Sequence, residues 1–303
     1  MPEPKPQNLT PKTLPAGTER MNNVSKRIAV VAPASRVAPE TPEKVTALAA
    51  TLFGDAAPEI HFHPQCFLSS GHFAGTDAER GAAFLEAAND PSFDAVWFGR
   101  GGYGSGRIDE GLYARLNAAA REKTYLGYSD LGFVLARLYA EKIGKPVHGP
   151  MPSDINRPGG EAAVSRALAF LAKNEASGLE PAARTSGRKF AAFNLTILVH
   201  VLAAPWAPDL SDHVIMVEEI SEHHYRIDRA FGAIMANPRV KAAAGIMLGR
   251  CGDIPPNDPA FEKTEEDIAQ YWCARAGVPY LGRADIGHDA DNKIVPFGAS
   301  LLV

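Results

Sequence analysis

From residue 27 onward, short apolar runs alternate with stretches whose apolar positions recur at helical spacing. The runs are continuously apolar, which is typical of strands buried on both faces of a sheet. The five that predict strands in the first half are RIAVVAP, EIHFH, AVWF, TYLG and PVH. Strand and helix alternate throughout, so the pattern predicts a parallel sheet covered by helices on both faces.

The predicted helices carry recognisable start and stop signals. Thr41-Pro42 has the residues of an N-cap and a first helical position, and Gly54 ends the same helix. The sequence TDAE is a capping-box pattern that begins a second helix ending at about Ala88. Further amphipathic segments predict helices at 131–141 and 161–173.

The segment NEASGLEPAARTSGRK has no periodicity and marks a domain boundary. Beyond it we predict helices near 194–203, 225–236 and 259–276, and strands at HVIMVEE, AAGIMLG, VPYLG and KIVPFGASLLV. The predicted division is a flexible N-terminal extension (1–26), an α/β domain (27–174), a linker (175–189) and a second α/β domain (190–303). A cleft between the two domains is the expected place for a site.

Composition narrows the possible functions. The 303 residues are 46% hydrophobic, enough for one or two cores. With 31 basic and 35 acidic residues and no long basic run, the chain is a poor candidate for binding nucleic acid, and a small substrate fits better. Three distant cysteines predict free thiols in a reducing compartment. No apolar run reaches the roughly 18 residues of a membrane span, and the N-terminal segment does not resemble a signal peptide, so we expect a cytoplasmic protein without a membrane partner.

Ser129 lies between a predicted strand and a predicted helix, in the stretch KTYLGYSDLGF. At such a turn, free backbone N–H groups and the helix dipole could stabilise an oxyanion beside a nucleophilic serine. The run GYSDLG matches only the first glycine of the G-x-S-x-G nucleophile pattern, since the second comes one place late. Serine is also a favoured N-cap residue. The residues alone leave open whether Ser129 is a helix cap or a nucleophile.

The loop GRGGYG (99–104) fits G-x-G-x-x-G but follows the third predicted strand instead of the first. Dinucleotide-binding proteins have an acidic residue at the end of the next strand, roughly 20 residues later, which binds the ribose. No acidic residue ends the next predicted strand here, so a dinucleotide cofactor is disfavoured. A P-loop is excluded because no G-K-[ST] follows. The glycines of the GRGGYG loop would let its backbone approach a ligand closely and direct N–H groups at the ligand. The alternative is that the loop is a plain turn.

Two acidic residues and a histidine complete the candidate chemistry. Glu218 and Glu219 end one strand, and adjacent strand residues point to opposite faces, so only one can face a given cleft. His288 lies in the loop ADIGHDADN, where a histidine is usually exposed. The order Ser129, Glu218, His288 is nevertheless the Ser…Asp/Glu…His order of the α/β-hydrolases.

Other histidines could suggest a metal site. His61, His63, Cys66 and His72 lie close together in sequence, but no second cluster completes a set of four ligands. We therefore predict no metal.

Eight segments in order resemble the LD-carboxypeptidases, also called muramoyltetrapeptide carboxypeptidases, a family of serine peptidases that includes the microcin C self-immunity proteins. The segments are IAVVAPAS, FGRGGYGSGRI, LGYSDL, VHGPM, FNLTIL, VEEISEHHYRIDRAF, GIMLGRC and IGHDADNKIVPFGA. The resemblance implies a flavodoxin-like N-terminal α/β domain that carries the serine and a smaller C-terminal α/β domain that carries the glutamate and the histidine.

The resemblance also implies a role for each candidate residue. Ser129 would be the nucleophile, His288 the general base and then acid, and Glu218 the carboxylate that orients the histidine, with Glu219 and Glu222 as nearby alternatives. The oxyanion hole would be formed by backbone N–H groups of Asp130 and of Gly101 and Gly102. Arg100 or Arg107 would bind the substrate carboxylate, and Arg226 and Arg229 would serve structure.

The implied reaction is removal of the terminal D-alanine from a murein tetrapeptide, without a metal or organic cofactor, by an enzyme that the family's habit suggests is a homodimer. Two departures from the family occur: Ala192-Phe193 replaces a Gly-Gly pair, which puts the substrate in doubt, and Leu131-Gly132 replaces a small or β-branched pair. One alternative is an amidase of the microcin C immunity type, which would need an aromatic platform near Phe193 or Trp206. The other is a non-catalytic muropeptide-binding protein.

Overall fold

The chain forms two sheets, each covered by helices, and the computed structural model describes residues 25–185 and 187–298. The first sheet has six strands in the order β10-β5-β4-β3-β1-β2, and all but β10 run parallel. Its strands are β1 (Arg27–Val31), β2 (Glu59–Phe62), β3 (Ala95–Phe98), β4 (Thr124–Gly127), β5 (Lys145–His148) and β10 (Val295–Pro296). Helices of this half are α1 (Thr41–Phe53), α2 (Asp77–Asn89), α3 (Ala118–Glu122), α4 (Gly132–Ala140) and α5 (Gly160–Lys173).

The second sheet is parallel, with the order β6-β7-β8-β9. Its strands are β6 (Lys189–Asn194), β7 (His213–Ile220), β8 (Gly245–Gly252) and β9 (Tyr280–Arg283). The accompanying helices are α6 (Pro181–Thr185), α7 (Leu195–Ala203), α8 (His224–Ala236), α9 (Pro238–Lys241) and α10 (Glu265–Ala276). The predicted fold class, a two-domain α/β protein with a smaller second sheet, is confirmed.

Alternate residues of the first sheet pack on its two sides, as the pleat requires. Ile28 and Val30 face a cluster formed with α1 and α5, whereas Ala29 and Val31 face a cluster formed with α2 and α4. The second cluster continues through α7 and α8 into the other half of the chain. One apolar core therefore joins the two sheets and holds α4 against α7.

Most predicted boundaries agree with the structure to within one or two residues. The capping box at Thr76 and Glu79 is present, with the Thr76 hydroxyl accepting from the Glu79 N–H. The helix expected from residue 259 instead begins at Glu265, because a second capping box places its N-cap at Thr264. The predicted linker contains the short helix α6.

The last strand lies in the first sheet and not, as expected, in the second. Val295 pairs antiparallel with His148 of β5, at the sheet's edge. The chain thus crosses from the first sheet to the second after α5 and returns before it ends. Residues 1–24 of the predicted extension lie outside the described residues. Among the described helices, none is long and apolar enough to cross a membrane.

Candidate active site

Ser129 lies where β4 ends, at the first residue of a single 3₁₀ turn that leads into α4. Its backbone has φ 61°, in the left-handed region that non-glycine residues rarely adopt. Such conformations persist where the surrounding structure enforces them and occur often at functional sites. The α4 helix begins without a side-chain cap, and the Ser129 hydroxyl bonds elsewhere. The helix-cap interpretation is therefore not what the structure shows.

The Ser129 hydroxyl is hydrogen bonded to His288, which in turn is hydrogen bonded to Glu218. Ser129 Oγ lies 2.9 Å from His288 Nε2, and His288 Nδ1 lies 2.5 Å from Glu218 Oε2. An ionised carboxylate can only accept, so Nδ1–H donates to Glu218 and Nε2 of the neutral ring accepts from the hydroxyl. Three residues distant in sequence thus form one chain of hydrogen bonds.

Burial and charge act in opposite directions on His288. The side chains of His288 and Glu218 are 8% and 0% exposed. Burial lowers the pKa of His288, but the Glu218 carboxylate and its hydrogen bond raise that pKa by more, so the net shift is upward from 6.5. The pair therefore stabilises a positive charge on the imidazole, should the ring take up a proton.

Glu218 and Glu219 have different environments, as neighbouring strand residues should. Glu219 accepts from the Thr196 N–H at 2.9 Å, from the Thr196 hydroxyl at 2.7 Å and from Asn194 Nδ2 at 2.5 Å. These contacts hold Glu219 against the start of α7. Only Glu218 of this pair contacts His288.

The glycine loop brings bare backbone against the serine. A Cβ placed on Gly101 would lie 3.0 Å from Ser129 Cβ and 3.1 Å from Ser129 Oγ, so a larger residue there would crowd the hydroxyl. Gly102 has φ 103°, and a Cβ on it would collide with Ser35. Asp130 follows the serine, and its buried carboxylate accepts from the Ser105 N–H at 2.8 Å.

Arg100 is exposed and lines the cleft beside Ser129, where Arg36 O accepts from its guanidinium at 3.3 Å. Arg107 lines neither of the cavities beside Ser129 and pairs instead with Asp77 at 2.9 Å. Of the two arginines that sequence analysis raised for substrate binding, only Arg100 faces the cleft.

Arg157 faces the same cleft and was missed by sequence analysis. Its guanidinium donates to the carbonyl oxygen of His288 at 2.5 Å and lies 3.3 Å from Asp154. Asp154 also accepts from the Tyr128 hydroxyl at 2.9 Å, and the Tyr128 ring centroid lies 5.0 Å from that of His288. These residues support the imidazole from one side. No spacing pattern around Arg157 in the sequence could have identified it.

Two cavities meet at the serine. One of about 520 Å³ includes Arg100, Arg157, Ser129 and His288 in its wall. The other, of about 390 Å³, shares Ser129 and His288 with it and extends towards α7 and the end of β7. The hydroxyl thus lies at the junction of two spaces large enough for a small ligand.

The candidate metal-binding residues of the sequence do not converge. Cys66 is buried, where its thiol donates to Val30 O, and His63 Nδ1 accepts from the Gln65 N–H at 3.1 Å. Within 25–185 and 187–298, no group of three or more histidine, cysteine, aspartate or glutamate side chains could hold a metal ion. Cys66, Cys251 and Cys273 are free thiols.

Phe193 and Trp206, the expected positions of an aromatic platform, lie away from both cavities. Phe193 is 1% exposed and packs edge-on against Phe297, with 5.1 Å between ring centroids. Trp206 donates to Glu110 at 3.2 Å and stacks under Arg137. Neither aromatic residue lines the space around Ser129.

Comparison with known proteins agrees with this architecture. A probable murein peptide carboxypeptidase of Bacillus subtilis is 28% identical over 302 residues, covering 96% of this chain and 90% of the relative. The solved muramoyltetrapeptide carboxypeptidase from Oxalobacter formigenes has a TM-score of 0.74 at 23% identity and covers 90% of this chain and 93% of its own. The microcin C7 self-immunity protein MccF has a TM-score of 0.69 at 16% identity and covers 92% of this chain and 98% of its own.

The two structural likenesses show a shared fold. The family models match most of the chain: the LD-carboxypeptidase N-terminal domain matches residues 28–149, and the LD-carboxypeptidase C-terminal domain matches residues 189–303. The chain therefore belongs to the LD-carboxypeptidase family of peptidases.

Proposed function

We propose that this protein is a serine carboxypeptidase that releases the terminal D-alanine from murein tetrapeptides by hydrolysing the bond between an L-centre and a D-residue. The observation that carries the proposal is the hydrogen-bonded chain Ser129–His288–Glu218 at the junction of two cavities. The names of the murein peptide carboxypeptidase relatives support the substrate class.

In the first step, Ser129 Oγ attacks the scissile carbonyl while His288 Nε2 takes the hydroxyl proton. Glu218 holds the ring in the required tautomer and stabilises the imidazolium that forms. The carbonyl oxygen becomes an oxyanion, which we assign to the backbone N–H groups of Asp130 and of Gly101 and Gly102. Bare backbone close to Ser129 is what such a site needs.

Collapse of the tetrahedral intermediate breaks the peptide bond. His288 donates its proton to the leaving nitrogen, so D-alanine departs as an amine and Ser129 carries the acyl group. Water then attacks the ester with His288 again acting as base, which releases the shortened peptide. These steps use only side chains of this chain, its backbone and water. Arg100, exposed in the cleft wall, would bind the carboxylate of the leaving residue.

The proposal is tested by incubating the protein with L-Ala-γ-D-Glu-meso-diaminopimelate-D-Ala and measuring free D-alanine. We expect release by the wild type and loss of about 10³-fold or more in kcat in Ser129→Ala, because the nucleophile is gone. Unchanged thermal unfolding of the variant would show that the fold is intact. D-alanine release by Ser129→Ala at the wild-type rate would contradict the assigned nucleophile.

Two other functions would give different results in the same assay. A muropeptide-binding protein would bind the tetrapeptide and leave it whole. An amidase of the microcin C immunity type would cut only a peptidyl or aminoacyl nucleotide. Phe193 is buried and Trp206 lies outside both cavities, so neither is the aromatic platform that this amidase would need. We further propose that the enzyme acts in the cytoplasm on recycled wall fragments, as a homodimer.

A further inference from the structure

Arg80 of α2 is a buried cation that the reaction steps proposed above do not use. Its side chain is 0% exposed, and no other arginine within residues 25–185 and 187–298 is buried. The guanidinium donates to the carboxylate of Asp77 and lies over the ring of Phe73, 4.8 Å from its centroid. The Asp77 side chain is 40% exposed, so this ion pair offsets the cost of burying the guanidinium only in part. The other contacts of Arg80 must supply the rest.

These other contacts are with the backbone of two loops. Arg80 Nη1 donates to the carbonyl oxygen of Gly104, at 2.7 Å, and to that of Pro33. Pro33 lies in the loop that follows β1, and Gly104 ends the glycine loop that follows β3. Strands β1 and β3 are neighbours in the first sheet. One guanidinium therefore joins the loops that follow two adjacent strands.

The peptide group between Gly104 and Ser105 is held from both sides. Its carbonyl oxygen accepts from Arg80, and its N–H donates to the Asp130 carboxylate at 2.8 Å. The Ser105 hydroxyl also donates to the backbone carbonyl oxygen of Asp130, at 2.5 Å. Since Asp130 directly follows Ser129, the end of the glycine loop is hydrogen bonded to the turn that carries the nucleophile.

The loop after β1 also supports the middle of the glycine loop. The Ser35 N–H donates to the carbonyl oxygen of Gly101 at 3.3 Å. In a trans peptide group the C=O and the N–H point in opposite directions, so this bond directs the Gly102 N–H away from Ser35. A Cβ on Gly102 would lie 2.3 Å from Ser35 Oγ, and a Cβ on Gly101 would lie 3.1 Å from Ser129 Oγ. The glycine loop is thus packed between the two serines.

We propose that Arg80 is a positioning residue for the oxyanion-binding loop. By joining the loops after β1 and β3, Arg80 sets where the N–H groups of Gly101 and Gly102 lie relative to Ser129 Oγ. It acts through the backbone and does not contact the substrate. This inference rests on the proposed function, because it assumes that these N–H groups bind the oxyanion, but it does not depend on which peptide is cleaved.

The first test is Arg80→Lys, which keeps the charge and loses the planar fork that reaches two carbonyls and Asp77 together. We expect kcat for D-alanine release to fall by about tenfold or more, with KM changed by less than about twofold, because misplaced oxyanion donors weaken the transition state and not the bound substrate. Ser129→Ala/Arg80→Lys should bind the intact tetrapeptide as tightly as Ser129→Ala does. A higher KM with unchanged kcat would overturn the proposal.

Arg107→Lys is the matched control. Arg107 shares two partners with Arg80, since it pairs with Asp77 at 2.9 Å and lies 5.3 Å from the centroid of the Phe73 ring. Its side chain is 50% exposed, and it approaches that carboxylate from the surface. The same chemical change at this position should leave kcat at the wild-type value. Equal losses of kcat in the two variants would assign the effect to the Asp77 ion pair and overturn the role of the loop contacts.

Labelling by a phosphonofluoridate gives a second measurement that needs no murein peptide. Ser129 Oγ bonds to phosphorus, the P–F bond breaks, and the hydroxyl proton passes through His288 and leaves with fluoride as HF. The phosphoryl oxygen gains negative charge in the transition state, where oxyanion N–H groups stabilise it. Mass spectrometry of the adduct measures the rate. We expect labelling of Arg80→Lys to be about tenfold slower than that of the wild type and of Arg107→Lys.

The two measurements separate this inference from the proposed function. If the wild type is labelled at Ser129 but releases no D-alanine, the proposed substrate fails, and the labelling rates decide the role of Arg80. Equal labelling rates in the wild type and Arg80→Lys would overturn that role. Thermal unfolding shows whether each variant is folded. Arg80→Gln, which buries no charge, carries the same test and the same expected loss if Arg80→Lys does not fold.

Discussion

At the residue scale, the central feature is a histidine whose pKa is pulled in two directions. Burial favours the neutral imidazole of His288, whereas Glu218 favours the charged imidazole. The effect of Glu218 is larger, so the pKa of His288 is raised. A general base must be neutral to accept the serine proton. Because the pKa is raised, the working form is present only above it and is lost as pH falls through it.

The first residue-scale prediction concerns this pH dependence. The kcat/KM of the wild type should fall on the acid side with an apparent pKa above 6.5. Glu218→Gln removes the group that raises the pKa and leaves the burial that lowers it, so the acid limb should move to lower pH. The same change should reduce kcat by about 10³- to 10⁴-fold, because the tautomer is no longer enforced. A pH profile of D-alanine release measures both.

Glu161→Gln should reproduce the wild-type profile, since its carboxylate is exposed on α5. An acid limb that stays in place in Glu218→Gln would mean that another group sets the pKa of His288.

Much of the site was predictable from the family resemblance, whereas residue identity and order alone left open whether Ser129 is a helix cap or a nucleophile. Ser129, Glu218 and His288 were named from the sequence, and the structure brings their side chains into contact. The choice between Glu218 and Glu219 was open, because strand alternation gives opposite directions without saying which direction is the cleft. Arg157 could not be found, since an arginine between a 3₁₀ turn and α5 acquires its role only through tertiary contact with the His288 loop.

At the element scale, the nucleophile's position depends on how closely α4 approaches α7. Gly132, the first residue of α4, allows this approach: a Cβ on it would lie 2.9 Å from Ile197 Cγ2 and 3.5 Å from Phe193 Cδ1. The tight contact is with Ile197 of α7, because 3.5 Å to Phe193 is an ordinary van der Waals distance. The absence of a side chain at Gly132 therefore lets the start of α4 lie against α7.

We therefore expect Gly132→Val to destabilise the protein by roughly 1–3 kcal/mol through overpacking. The displaced α4 should also shift Ser129 from His288 and lower kcat more than it raises KM. Chemical denaturation and D-alanine release measure the two effects. Gly187→Ala is the control, since a Cβ at Gly187 would meet no atom within 4 Å. Equal stability of both variants would show that α4 can move without penalty.

The predicted elements agree well with the structure for the strands that were predicted as buried and for the helix that begins at the TDAE capping box, whereas the buried strand β6 was not predicted. The predicted start of the helix at residue 259 was too early. Apolar spacing does not indicate where the backbone becomes helical, whereas the cap at Thr264 does. Strand β10 was assigned to the wrong sheet for a similar reason. An apolar run reports that a strand is buried, and only tertiary packing decides which sheet edge it joins.

At the scale of the whole molecule, the loop that carries His288 belongs to the second half of the sequence but is hydrogen bonded to residues of the first half. Arg166 of α5 donates to the carbonyl oxygens of Ala290 and Asn292, and Arg157 donates to that of His288. The base is therefore held on the domain that carries the nucleophile. No closing motion is required to bring His288 and Ser129 into contact.

Loss of these hydrogen bonds to the His288 loop should lower the rate of catalysis. Arg166→Ala should lower kcat by about ten- to a hundredfold with little change in KM, because small displacements of a catalytic group are costly. Steady-state kinetics measures the split. Arg184→Ala, on the exposed side of α6, should have wild-type kinetics. A wild-type kcat in Arg166→Ala would show that Arg157 and β10 hold the loop without it.

The return of β10 to the first sheet has a consequence for the separability of the halves. Removing everything after the linker would strip β5 of its antiparallel neighbour and leave a row of unsatisfied N–H and C=O groups at that border. In such a fragment, β5 would be an exposed edge strand that can pair with the same strand of another copy. Strand β10 therefore covers the edge of β5 at Val147 and His148, and we expect its removal to promote aggregation of the fragment.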